Sequence, residues 1–395
     1  MSRRPSRPPS RLPSRRTSLT AALVVAPLAA AWRFALAYRS RAGFPRRRPP
    51  IQDPGDLGLA HDDIVIRPEV SPLPGWWIPA GDRASGDPPI HAPAVVLVHG
   101  WESARDRTLP NAQVLHAAGF HVLTFDVRGH GANEREALPL TAAEFAADAR
   151  AAVGWAAARP EVTSVGILGH SMGGAGALIA AAADERIASA VIVGAPAGPY
   201  RLTRLTFRLA RLPLADPLAY PLAWLTTHVF LRPRRHRVAE VSSTRAAATY
   251  TGPLLLVHGT ADEIVPPAHA LHLVRAARRA RAGDRARAGT AAMPGAGAPP
   301  RAGLLRLLLV RGGGHSWLYE DPRYRAEVAR FLAATLPGGP DPRTAAEAAR
   351  RTDARRLPDS AGGFSAVEDE PGGFRTLVRA VARPSATPGR DGRVA

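Results

Sequence analysis

The stretch Val165-Gly166-Ile167-Leu168-Gly169-His170-Ser171-Met172-Gly173-Gly174 reads as a buried strand, a turn of small residues and the start of a helix that runs on through the alanines of 175–183. The turn has the pattern Gly-x-Ser-x-Gly, with Ser171 at its centre. A side chain at the tip of so tight a strand-to-helix turn is pushed clear of the sheet. Glycine is needed two positions either side, at Gly169 and Gly173, where backbone passes close to backbone. The helix start adds unpaired N–H groups and the positive end of a dipole, which suits an oxygen that becomes negative. The local chemistry is that of an activated serine nucleophile. By itself the motif also fits a plain glycine-rich turn, so the flanking sequence has to decide.

Upstream, 62–67 and 75–79 read as two short antiparallel strands, with Trp76 and Trp77 on opposite faces of the second. Residues 94–98 (AVVLV) form an unbroken apolar run, as expected of a strand covered on both faces. A helix over 111–118 and a strand over 120–125 follow. A long helix over 141–158 opens with a capping box, Thr141 and Glu144. Downstream come strands at 188–193, 253–258 and 304–310 and helices at 268–279 and 321–336. This alternation predicts an α/β domain over 62–336, with a mostly parallel sheet flanked by helices and working loops at the carboxyl ends of its strands. Residues 199–240 break the alternation. They are too apolar for a loop and too proline-rich for a further strand–helix unit, and are expected to form a helical cap over the strand ends.

A serine hydroxyl needs a base within reach and a carboxylate to orient that base. Both stand just past later strands: Asp262 in HGTADEIVP and His315 in GGGHSWL. Asp126, in FDVRGHG after an earlier strand, is the rival acid. His99, His130, His170 and His258 all lie in turn motifs and read as hydrogen-bonded structural histidines; Arg128 reads as a framework residue. No His or acidic cluster has metal-ligand spacing, and no phosphate-cradling glycine pattern precedes a helix with a suitable acid. Neither a metal nor a cofactor is expected.

Taken together, VLVHGW, FDVRGHG, GHSMGG, HGTADEIVP and GGGHSWL, in this order, resemble the signatures of the α/β-hydrolase superfamily. The branches nearest in pattern are those of monoacylglycerol lipase, serine aminopeptidase and prolyl oligopeptidase. The resemblance implies Ser171 as nucleophile, Asp262 as acid and His315 as base, with the backbone N–H groups of Trp101 and Met172 as the oxyanion hole. It implies a serine hydrolase without choosing between ester and peptide; a carboxylic ester, small or lipophilic, is the expected substrate, lipophilic if the apolar segments 19–38 and 199–237 face a bilayer. A peptidase, an acyltransferase and a non-catalytic scaffold are the alternatives on the same fold.

Composition narrows the partners. All 52 basic residues are Arg, and residues 1–48 hold twelve of them with no acid, which accounts for most of the net charge of +19. So localised a charge does not point to a nucleic-acid surface. The absence of cysteine excludes a disulfide framework. Residues 1–18 are expected to be a disordered basic segment, and 39–61 a linker. Residues 278–303 are expected to be a disordered loop and 337–395 a disordered tail. The apolar run 19–38 is expected to be a membrane anchor, or else an export signal with small-x-small sites at Ala29-Ala31 and Ala35-Ala37 and a twin-arginine pattern at 14–19. On that reading the protein is membrane-associated, or alternatively exported, and a chain beginning near Gln52 keeps its activity.

Overall fold

Uninterrupted apolar runs become the inner strands of the sheet, and mixed-polarity runs become its edge. In chain order the strands are β1 (Asp62–Ile66), β2 (Leu73–Ile78), β3 (Ala92–Val98), β4 (His121–Phe125), β5 (Val162–His170), β6 (Ile187–Val193), β7 (Leu254–Gly259) and β8 (Leu305–Val310). They form one sheet in the order β1-β2-β4-β3-β5-β6-β7-β8. β1 and β2 pair antiparallel, β2 joins β4 antiparallel, and every pairing from β4 to β8 is parallel. All residues of β3, β4 and β7 are buried, as strands sandwiched between helix layers must be. The computed structural model describes residues 15–68, 71–81, 90–210, 212, 214–288 and 303–354.

The helices are α1 (Arg15–Ala42), α2 (Leu109–Ala117), α3 (Ala142–Ala157), α4 (Met172–Ala183), α5 (Pro199–Leu209), α6 (Asp216–Leu231), α7 (Ser243–Thr249), α8 (Ala268–Ala288), α9 (Pro322–Thr335) and α10 (Pro342–Arg351). Two hydrophobic layers form, one on each face of the sheet. Trp77 belongs to the layer with Phe145 of α3 and Leu178 of α4; Trp76 belongs to the layer with Leu115 of α2 and Phe331 of α9. The tandem tryptophans therefore do face opposite ways. The α3 capping box forms: the Thr141 hydroxyl accepts from the Ala143 N–H, and Glu144 accepts from the Thr141 N–H at 2.7 Å.

Four segments differ from the sequence reading. First, 19–38 lies within one longer helix, α1, whose second half is docked. Among the described residues no helix is long and apolar enough to cross a membrane. The second half of α1 packs on α5 and α6, with Phe34 edge-on to Phe207 at 5.5 Å. Second, 39–61 is docked chain. The Gly43 carbonyl accepts from the Leu140 N–H at 2.8 Å, and the Ile51 N–H donates to Asp106 at 3.1 Å. A chain starting at Gln52 would lose both contacts.

Third, α8 runs through 288, past the expected start of the 278–303 loop; residues 289–302 of that loop lie outside the described residues. Fourth, 337–354 is ordered. Asp341 caps α10 by accepting from the Arg343 and Thr344 N–H groups, and Ala345, Ala346 and Ala349 are buried. Arg325 of α9 donates to the carbonyls of Ala349 and Arg350, placing a cation at the negative end of α10. Residues 1–14 of the expected basic segment and 355–395 of the expected tail lie outside the described residues.

Candidate active site

At the junction of β5 and α4, Ser171 takes φ 57° and ψ −119°, a conformation that a side chain adopts only when its surroundings enforce it. They do so here. The Ser171 N–H donates to the Val193 carbonyl of the neighbouring strand at 2.8 Å. A Cβ on Gly173 would run into the carbonyl oxygens of His99 and Val98, and one on Gly169 into the carbonyl of Gly173. Glycine at these two positions lets α4 start this close to β3 and β5.

Two loops bring the partners. His315, on the loop after β8, has Nε2 2.9 Å from Ser171 Oγ. Its Nδ1 lies 2.8 Å from Asp262 Oδ2, on the loop after β7. All three residues are buried. With Nδ1–H donating to the carboxylate, Nε2 is left to accept the serine proton, which is the tautomer that base catalysis needs. The other oxygen of Asp262 accepts from the N–H groups of Ile264 at 3.0 Å and Val265 at 2.8 Å. Burial acts to raise the Asp262 carboxyl. The charge of His315 and hydrogen bonds from His258, His315 and Val265 overcome that and hold it well below the usual carboxylate range.

Two histidines support this trio in ways that their turn positions alone did not disclose. His258 Nε2 donates to the Val265 carbonyl at 2.6 Å and lies 3.2 Å from Asp262 Oδ2, fastening the acid loop to the end of β7. The signal was the four-residue spacing of His258 and Asp262 across a turn. His170 Nε2 donates to the His315 carbonyl at 2.7 Å. Burial, with His315 beside it, lowers His170 to about 4. It therefore stays neutral near pH 7 and places no cation against His315.

The rival acid is occupied elsewhere. Asp126 is fully buried and accepts from the Arg105 N–H at 2.7 Å, the Arg105 guanidinium at 2.6 Å and the Ala132 N–H at 2.9 Å. That network folds the FDVRGHG turn and does not reach His315. His99 Nε2 accepts from the Val127 N–H at 3.0 Å, and His130 Nδ1 donates to the Arg128 carbonyl. Arg128 pairs with Asp148. Met172 opens α4, so its N–H has no acceptor within the helix and points from the same elbow as Ser171. Trp101 follows β3 and lines the same cavity as Ser171 and Met172.

That cavity, of about 110 Å³, lies beneath α5 and α6. Leu202, Leu205, Phe230, Val241 and Ile264 are among its walls, and none of the residues lining it is charged. A second cavity of similar size lies on the His315 side and carries Arg48, Glu102 and Arg107; Trp101 borders both. Among the described residues no cluster of His or acidic side chains could hold a metal ion.

Comparison with known proteins agrees with this architecture. Residues 90–238 match the model of the serine aminopeptidase S33 hydrolase family. The chain is 30% identical over 207 residues to a monoacylglycerol lipase of Mycolicibacterium smegmatis, covering 46% of this chain and 74% of that protein. It is 29% identical over 238 residues to a Mycobacterium tuberculosis protein, covering 59% of this chain and 73% of the relative. Among solved structures, the Pf2001 esterase of Pyrococcus furiosus superposes with a TM-score of 0.55 at 20% identity, over 75% of this chain and 99% of the esterase. At that identity the likeness speaks for the fold alone.

Proposed function

The chain belongs to the α/β-hydrolase superfamily, and we propose that it is a serine hydrolase that cleaves lipophilic carboxylic esters through an acyl-enzyme on Ser171. Ser171 Oγ attacks the acyl carbonyl while His315 Nε2 takes its proton; Asp262 holds the ring and stabilises the imidazolium. The oxygen that becomes negative is received by the N–H groups of Trp101 and Met172, where one lost donor typically costs about 10²–10³ in rate. His315 then protonates the leaving alcohol. Water, deprotonated by the same ring, releases the acid and restores Ser171.

The observation that carries the choice of ester is the uncharged cavity that meets Ser171. An apolar acyl chain gains from leaving water there, whereas an ammonium group would be stripped of water with no carboxylate to receive it. A peptidase reading finds support in the description of the matching family, and its acidic foothold would be Glu102 in the neighbouring cavity. Glu102 already accepts from the Arg46 N–H at 3.3 Å.

A substrate panel separates the two. Full-length protein is expected to hydrolyse p-nitrophenyl esters of medium-chain acids with kcat/KM above that for the acetate. Aminoacyl p-nitroanilides are expected to be turned over at least about a hundredfold more slowly, roughly 2.7 kcal/mol of discrimination. Preference for the aminoacyl amides would overturn the ester reading.

A further inference from the structure

The cavity beside Ser171 is not enclosed by the cap insertion alone. Tyr38 and Ala42 of α1 both line it. They are four residues apart and so lie on one face of the helix. The Tyr38 hydroxyl is 2.9 Å from Thr206 Oγ1 of α5. Its ring packs edge-on against Phe207 of α5 at 6.1 Å and Phe230 of α6 at 6.0 Å. Thr206 and Phe230 themselves line the cavity. Burial pushes the Tyr38 phenol up to about 12, so the hydroxyl stays protonated and uncharged, like the rest of the lining.

The end of α1 is fastened on two sides. The Arg39 guanidinium donates to the Val229 carbonyl of α6 at 3.4 Å, and the Gly43 carbonyl accepts from the N–H of Leu140, itself a residue of the cavity wall. Thus α1 is tied both to the cap and to the loop before α3, across the space that the cavity occupies.

We infer that α1 is a third helix of the cap, and that Tyr38 and Ala42 set the longest acyl chain the site accepts. The inference rests on the ester-hydrolase reading above and adds to it a specificity device supplied from before the catalytic domain. The occupant is an unbranched acyl chain, since all the groups that face it are uncharged and most are apolar. Each methylene that fits in this space and leaves water is worth roughly fourfold in kcat/KM. Chain length should therefore read out the wall directly.

The test uses full-length wild type, Tyr38→Ala and Ala42→Phe on a p-nitrophenyl ester series from acetate to dodecanoate. Labelling by a fluorophosphonate reports the integrity of Ser171 in each. Tyr38→Ala is expected to move the optimum to longer chains. Ala42→Phe adds bulk to a half-buried position at the cavity wall. It is expected to move the optimum to shorter chains, lowering the ratio of long-chain to acetate kcat/KM by about tenfold. Should Tyr38→Ala fail to fold, Ala42→Phe alone decides. An unchanged optimum in Ala42→Phe, or an equal loss at all lengths, in protein that still labels and still hydrolyses acetate, would overturn the α1 proposal and leave the ester reading in place. Wild type inactive across the whole series would overturn the ester reading, and this inference with it.

Discussion

The carboxyl edge of the sheet and the cap above it are held together by different means. At the sheet edge, each tie has a backbone group at one end. Ser171 is pinned by the Val193 carbonyl, Asp262 by two N–H groups of its own loop, and His315 through its carbonyl by His170. In the cap, side chain also meets side chain. Arg234 reaches Glu136 at 2.8 Å, His236 reaches Glu144 at 2.6 Å, and Tyr38 meets Thr206. The contrast separates chemistry from selection: changes at the sheet edge should abolish turnover, whereas changes in the cap should alter which substrate is turned over, or when.

The hardest break of this contrast is at the sheet edge. Ser171→Ala and His315→Ala are each expected to lower kcat by a factor approaching 10⁶, because the three residues act as a unit. Steady-state hydrolysis of the best ester checks this; a residual rate within about a hundredfold of wild type would contradict it.

A pair of carboxylates sharpens the contrast within that edge. Asp262→Asn is expected to lower kcat by about 10⁴ by leaving His315 in the wrong tautomer. Asp126→Asn is expected to act on folding, at about 3–5 kcal/mol in urea unfolding, because it leaves the Arg105 guanidinium inside the FDVRGHG turn without its ion partner. A kcat loss for Asp126→Asn matching that of Asp262→Asn would erase the distinction between acid and turn residue.

Those two carboxylates also show how far the sequence could be read. Ser171, Asp262 and His315 can be read from the sequence because each follows a largely apolar run that must be a strand, and each stands within three residues of a turn glycine. The choice between Asp126 and Asp262 needed the resemblance, since both stand just past a strand end. The supporting role of His258 was hidden because spacing alone does not say which way a turn folds. The docking of α1 is not legible for a physical reason: hydropathy registers that Leu19 to Tyr38 is apolar, not what covers it. Here Phe34 and Tyr38 are covered by α5 and α6, while Val25 and Leu28 stay exposed. α10 escaped notice because its buried stripe, Ala345, Ala346 and Ala349, is made of the smallest apolar side chain within a run rich in Arg.

The smallest expected effect is in the cap clasp and depends on pH. The hydrogen bond from His236 to Glu144 raises the His236 pKa above its ordinary 6.5, with Glu240 also facing the ring. Burial would raise Glu144, but His236, Thr141 and Arg234 bring it below its ordinary 4.5. The His236 contribution is therefore complete below about pH 6.5 and fades as pH rises through its folded-state value; the Glu144 contribution is complete above about pH 4.5 and fades in acid. His236→Gln is expected to cost less than about 1 kcal/mol near pH 6 and less still at pH 9, since the ring is partly exposed. Urea unfolding at the two pH values checks this, and a penalty that grows with pH would reverse the assigned sign.

Acylation at Ser171 is tested by intact-mass spectrometry of the protein after exposure to a fluorophosphonate. One adduct is expected on full-length protein, mapped by peptide sequencing to Ser171 and absent from Ser171→Ala. No adduct on folded wild-type protein, or an adduct that persists in Ser171→Ala, would contradict it.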